Sequence, residues 1–138
     1  MNEDKMHCKR IADELEAIAR GEMYTCFDCG SIVHTINGIC PECGEPVTDE
    51  DGEEYPYTLT EWAERQLDTE YIIGGDMIYK ACRIYVALCG PTAWVDTWNC
   101  EVRMLGVDGT AWSISTDTRD MIDELMEECL EGAKEALK

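Results

Sequence analysis

Two short segments share one pattern, CFDCG at residues 26–30 and CPECG at 40–44, and ten residues separate Cys29 from Cys40. A Cys-x-x-Cys turn aims two sulfurs at one point, while its backbone N–H groups and the glycine that follows relieve the thiolate charge. Two such turns complete a tetrahedron. Cys26, Cys29, Cys40 and Cys43 are therefore the expected ligands of a single metal ion. Four sulfur ligands leave no coordination position for water or substrate, so a centre of this kind supports a fold and does not carry a reaction. His34 falls between the pairs, but four cysteines suffice, and it reads as a surface or packing residue.

The two pairs resemble zinc ribbons and the rubredoxin-like knuckle, of which CPECG is typical. The resemblance spans about 25 residues. It implies a local fold with zinc as the favoured metal and iron as the alternative; iron would make the protein a rubredoxin-like electron carrier. The chain has nine cysteines, an odd number, and its N-terminus MNEDKMHCKRIADELEAIARG has no apolar leader segment. Both features point to thiols or metal ligands in a reducing cytoplasm. Cys8, Cys82, Cys89, Cys100 and Cys129 fall on apolar faces or strand positions and read as buried free thiols.

Charge is the dominant global property: 30 acidic against 11 basic residues give a formal net charge of -19 over 138 residues. Direct binding to nucleic acid or to an anionic membrane requires positive charge and is not expected. No stretch approaches the roughly 18 consecutive apolar residues of a membrane span. With 45% hydrophobic residues the chain can nonetheless bury a core. The charge is uneven. Between Gly21 and Tyr79 Arg65 is the only Lys or Arg, whereas Glu42, Glu45, Asp49, Glu50, Asp51, Glu53, Glu54, Glu61 and Glu64 crowd the same interval.

Periodicity predicts an α+β fold. Residues 3–20 form an amphipathic helix with Cys8, Ile11, Ala12, Leu15, Ile18 and Ala19 on one face, ended by Gly21. TLTEWAERQLDTEY, from Thr58, reads as a helix opened by a Thr58/Glu61 capping box. From Met77 onward the segments MIYKACRIYVALCG, TAWVDTW, EVRMLGV and TAWSIS predict an antiparallel meander of about four strands, with turns at Gly90-Pro91 and Asp108-Gly109. A last helix, capped at Ser115, Thr116 or Asp117, places Met121, Ile122, Leu125, Met126, Cys129, Leu130, Ala133, Ala136 and Leu137 on one half. The expected organisation is an N-terminal helix (1–21), a four-cysteine module (22–50), an acidic linker with a short helix (51–76), and the meander with its helix (77–138).

The other half of the last helix carries Asp120, Asp123, Glu124, Glu127, Glu128 and Glu131 with no Lys among them. Each like-charge pair at i, i+3 or i, i+4 costs about 0.2–0.5 kcal/mol, a cost that mixed signs would avoid. Along the helix axis the row presents one charge about every 3 Å. A DNA strand presents one about every 3.4 Å. The row therefore suits the basic nucleic-acid channel of a partner, and Asp49, Glu50, Asp51, Glu53 and Glu54 form a second acidic surface that could extend it. The sequence has no P-loop, Gly-x-Ser-x-Gly or His-Glu-x-x-His motif, and no enzyme activity is expected.

The meander YKACRIYVALCGPTAWVDTWNCEVRMLGVDGTAWSIS and the acidic helix DMIDELMEECLEGAKEAL resemble anti-CRISPR inhibitors of the Cas9-directed type II-A class, carried by phages and mobile elements. The four-cysteine module departs from most small inhibitors of that class. The resemblance implies a protein that binds Cas9 or the Cas9–guide RNA complex in the host cytoplasm and blocks loading of target DNA by occlusion. Without it, an adaptor that uses a zinc ribbon to bind another basic nucleic-acid enzyme fits the same composition.

Overall fold

The computed structural model describes residues 3–35, 37–66, 68–86, 92–105 and 110–136. In chain order the elements are α1 (Glu3–Ala19), β1 (Met23–Thr25), β2 (Ile32–His34), α2 (Leu59–Glu64), β3 (Asp68–Ile73), β4 (Tyr79–Val86), β5 (Ala93–Asp96), β6 (Glu101–Met104), β7 (Ala111–Ser113) and α3 (Thr116–Ala136). The fold is α+β, as the periodicity predicts. Its main sheet is fully antiparallel, with β3 to β7 neighbouring one another in sequence order.

α1 forms because Cys8, Ile11, Ala12, Leu15 and Ile18 make one apolar stripe, and all five are buried. It ends where the N–H of Gly21 donates to the Ile18 carbonyl and that of Glu22 to the Ala17 carbonyl, at 3.0 and 2.9 Å. This pair of bonds satisfies carbonyls that a helix end otherwise leaves open. α1 lies against β6 and β7, and α3 against β4. Between helices and sheet, Leu15, Ile84, Val95, Val102, Ile122 and Met126 close the core. Each such side chain contributes about 1.5–3 kcal/mol by leaving water.

Four features differ from the sequence expectation. The meander has five strands, because Asp68 to Ile73 pair with β4 from Asp68↔Tyr85 to Ile73↔Tyr79. The helix predicted through Tyr71 stops after Glu64, where the Arg65 N–H turns back to the Trp62 carbonyl at 3.2 Å. The chain from Thr69 to Ile73 is rich in β-branched and aromatic residues, and an eight-residue β4 offers it a full edge. The Thr58 cap is as expected: its hydroxyl accepts from the Glu61 N–H at 3.2 Å.

The four-cysteine module also extends past residue 50. The N–H of Thr25 donates to the Tyr55 carbonyl and that of Tyr57 to the Met23 carbonyl, so residues 51–57 return along β1 and are no linker. Finally, the apolar half of α3 is only partly covered. Ile122, Met126 and Leu130 are buried, while Met121, Cys129, Ala133 and Ala136 are exposed, because the contacts of α3 with β4, α1 and α2 cover only one side of it. The Gly90-Pro91 and Asp108-Gly109 turns, Cys89 and Leu137 lie outside the described residues.

Candidate metal centre and acidic surface

The two knuckles share one backbone design. In the first, the Gly30 N–H donates to the Cys26 carbonyl at 2.8 Å and the Cys26 N–H to the Ser31 carbonyl at 2.8 Å; in the second, Gly44 donates to Cys40 at 2.9 Å and Cys40 to Glu45 at 2.8 Å. Gly30 and Gly44 sit at φ of 75° and 77°, a left-handed conformation that strains any residue with a Cβ. This explains the glycine at the same offset in each pair. The β1–β2 hairpin follows through the first knuckle, and an Ile39↔Pro46 bridge closes the second.

The knuckles face each other and bring the Sγ atoms of Cys26, Cys29, Cys40 and Cys43 within 4.8 Å of one another. Cys26 to Cys43 is 3.8 Å and Cys29 to Cys40 is 3.7 Å. A tetrahedron with metal–sulfur bonds of about 2.3 Å has edges of about 3.8 Å, so the set fits one metal ion. Val33 and Val47 pack beside buried Cys26 and Cys40 as a small core of their own. The Ser31 hydroxyl and N–H hold the Cys29 thiol down to about 7. The Glu45 N–H pulls the Cys43 thiol down, but burial and the three neighbouring sulfurs together push it up to about 12. Four thiolates so close repel one another, and a cation at their centre removes that penalty.

His34 points away from this centre. Its Nε2 lies 3.4 Å from Glu22 Oε2 at the surface. Of the other cysteines, Cys8 and Cys82 are buried, as expected, and Cys100 is half-buried with its thiol directed at the Ile114 carbonyl at 3.2 Å. Cys129 is exposed, contrary to expectation, because it lies on the uncovered part of α3. Among the described residues no helix is long and apolar enough to cross a membrane.

The carboxylates of α3 divide into groups that sequence alone does not separate. Glu124, Glu127 and Glu128 are exposed. Asp120 meets Arg119 at 2.9 Å and Glu131 meets Lys134 at 3.2 Å, both at the surface. Asp123 is half-buried and accepts from the Tyr79 hydroxyl at 2.5 Å, tying α3 to β4. It belongs to the packing of the fold.

The second acidic region divides in the same way. Asp49 Oδ1 accepts from the N–H groups of Asp51 and Glu53, each at 2.9 Å, and its Oδ2 from the Tyr55 hydroxyl at 2.6 Å. These bonds hold the Asp49 carboxyl below the usual range. Asp49 thereby shapes the loop that displays Glu50, Asp51, Glu53 and Glu54, all exposed. Glu54 also accepts from the Tyr24 hydroxyl, which raises the Tyr24 phenol.

α2 stands between the two acidic regions. One groove against it is lined by Glu54 and Glu61, and another by Thr60, Glu124 and Glu128. Carboxylates thus continue from the four-cysteine module across α2 to α3. Sequence reading missed the roles of Tyr79 and Tyr55; both partners of each bond are visible as residue types, but nothing in their spacing of 44 and 6 residues pairs them.

The chain matches no family model, no curated protein and no solved structure. Fold and site define its class by themselves: an α+β protein in which helices cover one antiparallel meander and a four-cysteine knuckle module is set beside it.

Proposed function

We propose that this protein is a non-enzymatic inhibitor that occupies the basic nucleic-acid channel of a partner, and that the partner is Cas9 or its guide RNA complex. The observation that carries the reading is the exposed row Glu124, Glu127 and Glu128 on a helix seated on a sheet, continued over α2 to the loop of Glu50, Asp51, Glu53 and Glu54. Charges mounted on packed elements need little ordering on binding, and a rigid acidic surface is steered to a positive channel. Cas9 holds its guide–target heteroduplex in such a channel and reads its adjacent motif with arginines. The choice of Cas9 among basic enzymes rests on the resemblance of residues 77–138 to phage-borne inhibitors.

The metal in this reading is zinc, held by Cys26, Cys29, Cys40 and Cys43. An all-sulfur tetrahedral set suits it, and its function is to fix the module that carries the second acidic region. No step of the inhibition passes through the metal.

The test is a gel shift of guide-loaded Cas9 on a matching DNA duplex, with the protein added before the DNA or after it. Loss of the shifted band only when the protein comes first is the expected result. A band unchanged in both orders removes Cas9 as the partner.

A further inference from the structure

Beside the first knuckle, Phe27 and Tyr55 expose 55% and 42% of their surface and stack with ring centroids 6.2 Å apart and planes 18° from parallel. They line a groove of about 630 Å³ together with Thr25, Gly30, Pro56, Glu54 and Glu61. Among the described residues the groove has no basic residue in its lining. The Asp49 carboxylate accepts from the Tyr55 hydroxyl at 2.6 Å and holds that ring, against which Phe27 stacks, while the Phe27 backbone N–H donates to the Val47 carbonyl at 3.1 Å. Exposed aromatic faces kept in place beside two carboxylates are matched by one kind of side chain, a cation with a flat apolar face.

We infer that this groove receives an arginine side chain from a basic segment of a partner protein. Guanidinium stacks on an aromatic face and presents its N–H fork to carboxylates, whereas ammonium is a compact, strongly hydrated point charge. The guanidinium plane lies on the Phe27–Tyr55 rings, and its N–H groups meet Glu54 and Glu61. The chemistry follows from the groove alone; only the naming of a basic protein as the source rests on the reading above. It adds an anchoring contact to a surface that would otherwise recognise charge without shape.

The experiment is an NMR titration of the metal-loaded protein with the capped tripeptide Gly-Arg-Gly, alongside Gly-Lys-Gly, Gly-citrulline-Gly and a proline-rich peptide. Saturable shifts confined to Phe27, Tyr55, Glu54 and Glu61 are expected with the arginine peptide. Binding falls by about fivefold in Phe27→Ala, as loss of a cation–π contact requires. That variant keeps all four sulfurs, so an unchanged metal content certifies its fold. Equal shifts with lysine, spread over the acidic surface and unchanged by Phe27→Ala, would overturn the inference, as would tighter binding of citrulline or of the proline-rich peptide. The titration uses no Cas9: a groove selective for arginine in a protein without effect in the gel shift keeps this site and discards Cas9, and the converse discards only the groove.

Discussion

The phenol of Tyr79 on β4 donates a 2.5 Å hydrogen bond to the carboxylate of Asp123 on α3, joining residues 44 apart in sequence across the sheet–helix interface. Burial first, and this bond second, keep the Tyr79 phenol protonated far above the ordinary tyrosine range. One carboxylate of the acidic row is therefore structural, and its neighbours are not.

That division gives a mutational contrast. The triple change Glu124→Lys, Glu127→Lys and Glu128→Lys is expected to leave the melting temperature nearly unchanged and to weaken inhibition of the partner at least tenfold. Asp123→Ala alone is expected to cost about 1–3 kcal/mol of stability by leaving the Tyr79 hydroxyl without its acceptor. Thermal melts and a binding titration on the same samples read both effects. Undiminished binding by the triple variant would return that face to solvent.

Metal removal acts on one part of the molecule. A strong chelator, or Cys26→Ser with Cys40→Ser, is expected to unfold residues 22–57, since Val33 and Val47 alone cannot hold a module whose core is otherwise cysteine. The helix–sheet core around Leu15, Ile84 and Ile122 is a separate cluster and is expected to persist. Amide NMR spectra before and after chelation distinguish the regions, and elemental analysis identifies the ion. One zinc per chain and no visible colour are expected; iron with red colour would make the protein an electron carrier.

Glu16 couples α1 to the start of α3. Its carboxylate accepts from the Ser115 N–H at 2.6 Å, the Ser115 hydroxyl at 2.9 Å and the Thr118 hydroxyl at 2.8 Å. Partial burial raises its pKa, but the bonds from Ser115 and Thr118 outweigh it and leave the carboxyl below its ordinary value. A depressed folded-state pKa means stability that is present above the unfolded value, about 4.3, and is lost as pH falls through the folded value. Glu16→Gln is expected to destabilise by about 1 kcal/mol at neutral pH. It is also expected to flatten the dependence of melting temperature on pH below about 4.3. An unchanged slope in the variant would assign acid sensitivity to other carboxyls.

Asp49 shapes the loop from 49 to 55 without offering its own charge to a partner. Asp49→Ala is expected to free the Tyr55 hydroxyl and raise backbone exchange across residues 50–55, with little change in the global melt. Reversal of Glu50, Asp51 and Glu53 to Lys is expected to do the opposite, sparing loop order and weakening the partner. Hydrogen exchange read beside binding separates the two.

The sequence by itself determined what depends on short-range geometry. Two knuckles of five residues, each with glycine at a positive φ, aim two sulfurs apiece by local geometry, so the sulfur tetrahedron is legible in the spacing. Helical periodicity marks the buried stripe of α1, and the Thr58 hydroxyl caps α2 from three residues away. Tertiary structure decided the rest. Whether 68–73 is the end of a helix or a strand depended on the edge that β4 offered, and residues 51–57 joined the metal module because β1 had N–H and carbonyl groups to pair. It also decided which carboxylates are structural. Asp123 and Glu124 are adjacent identical charges in sequence, but a turn of about 100° per residue puts one against Tyr79 and the other toward solvent.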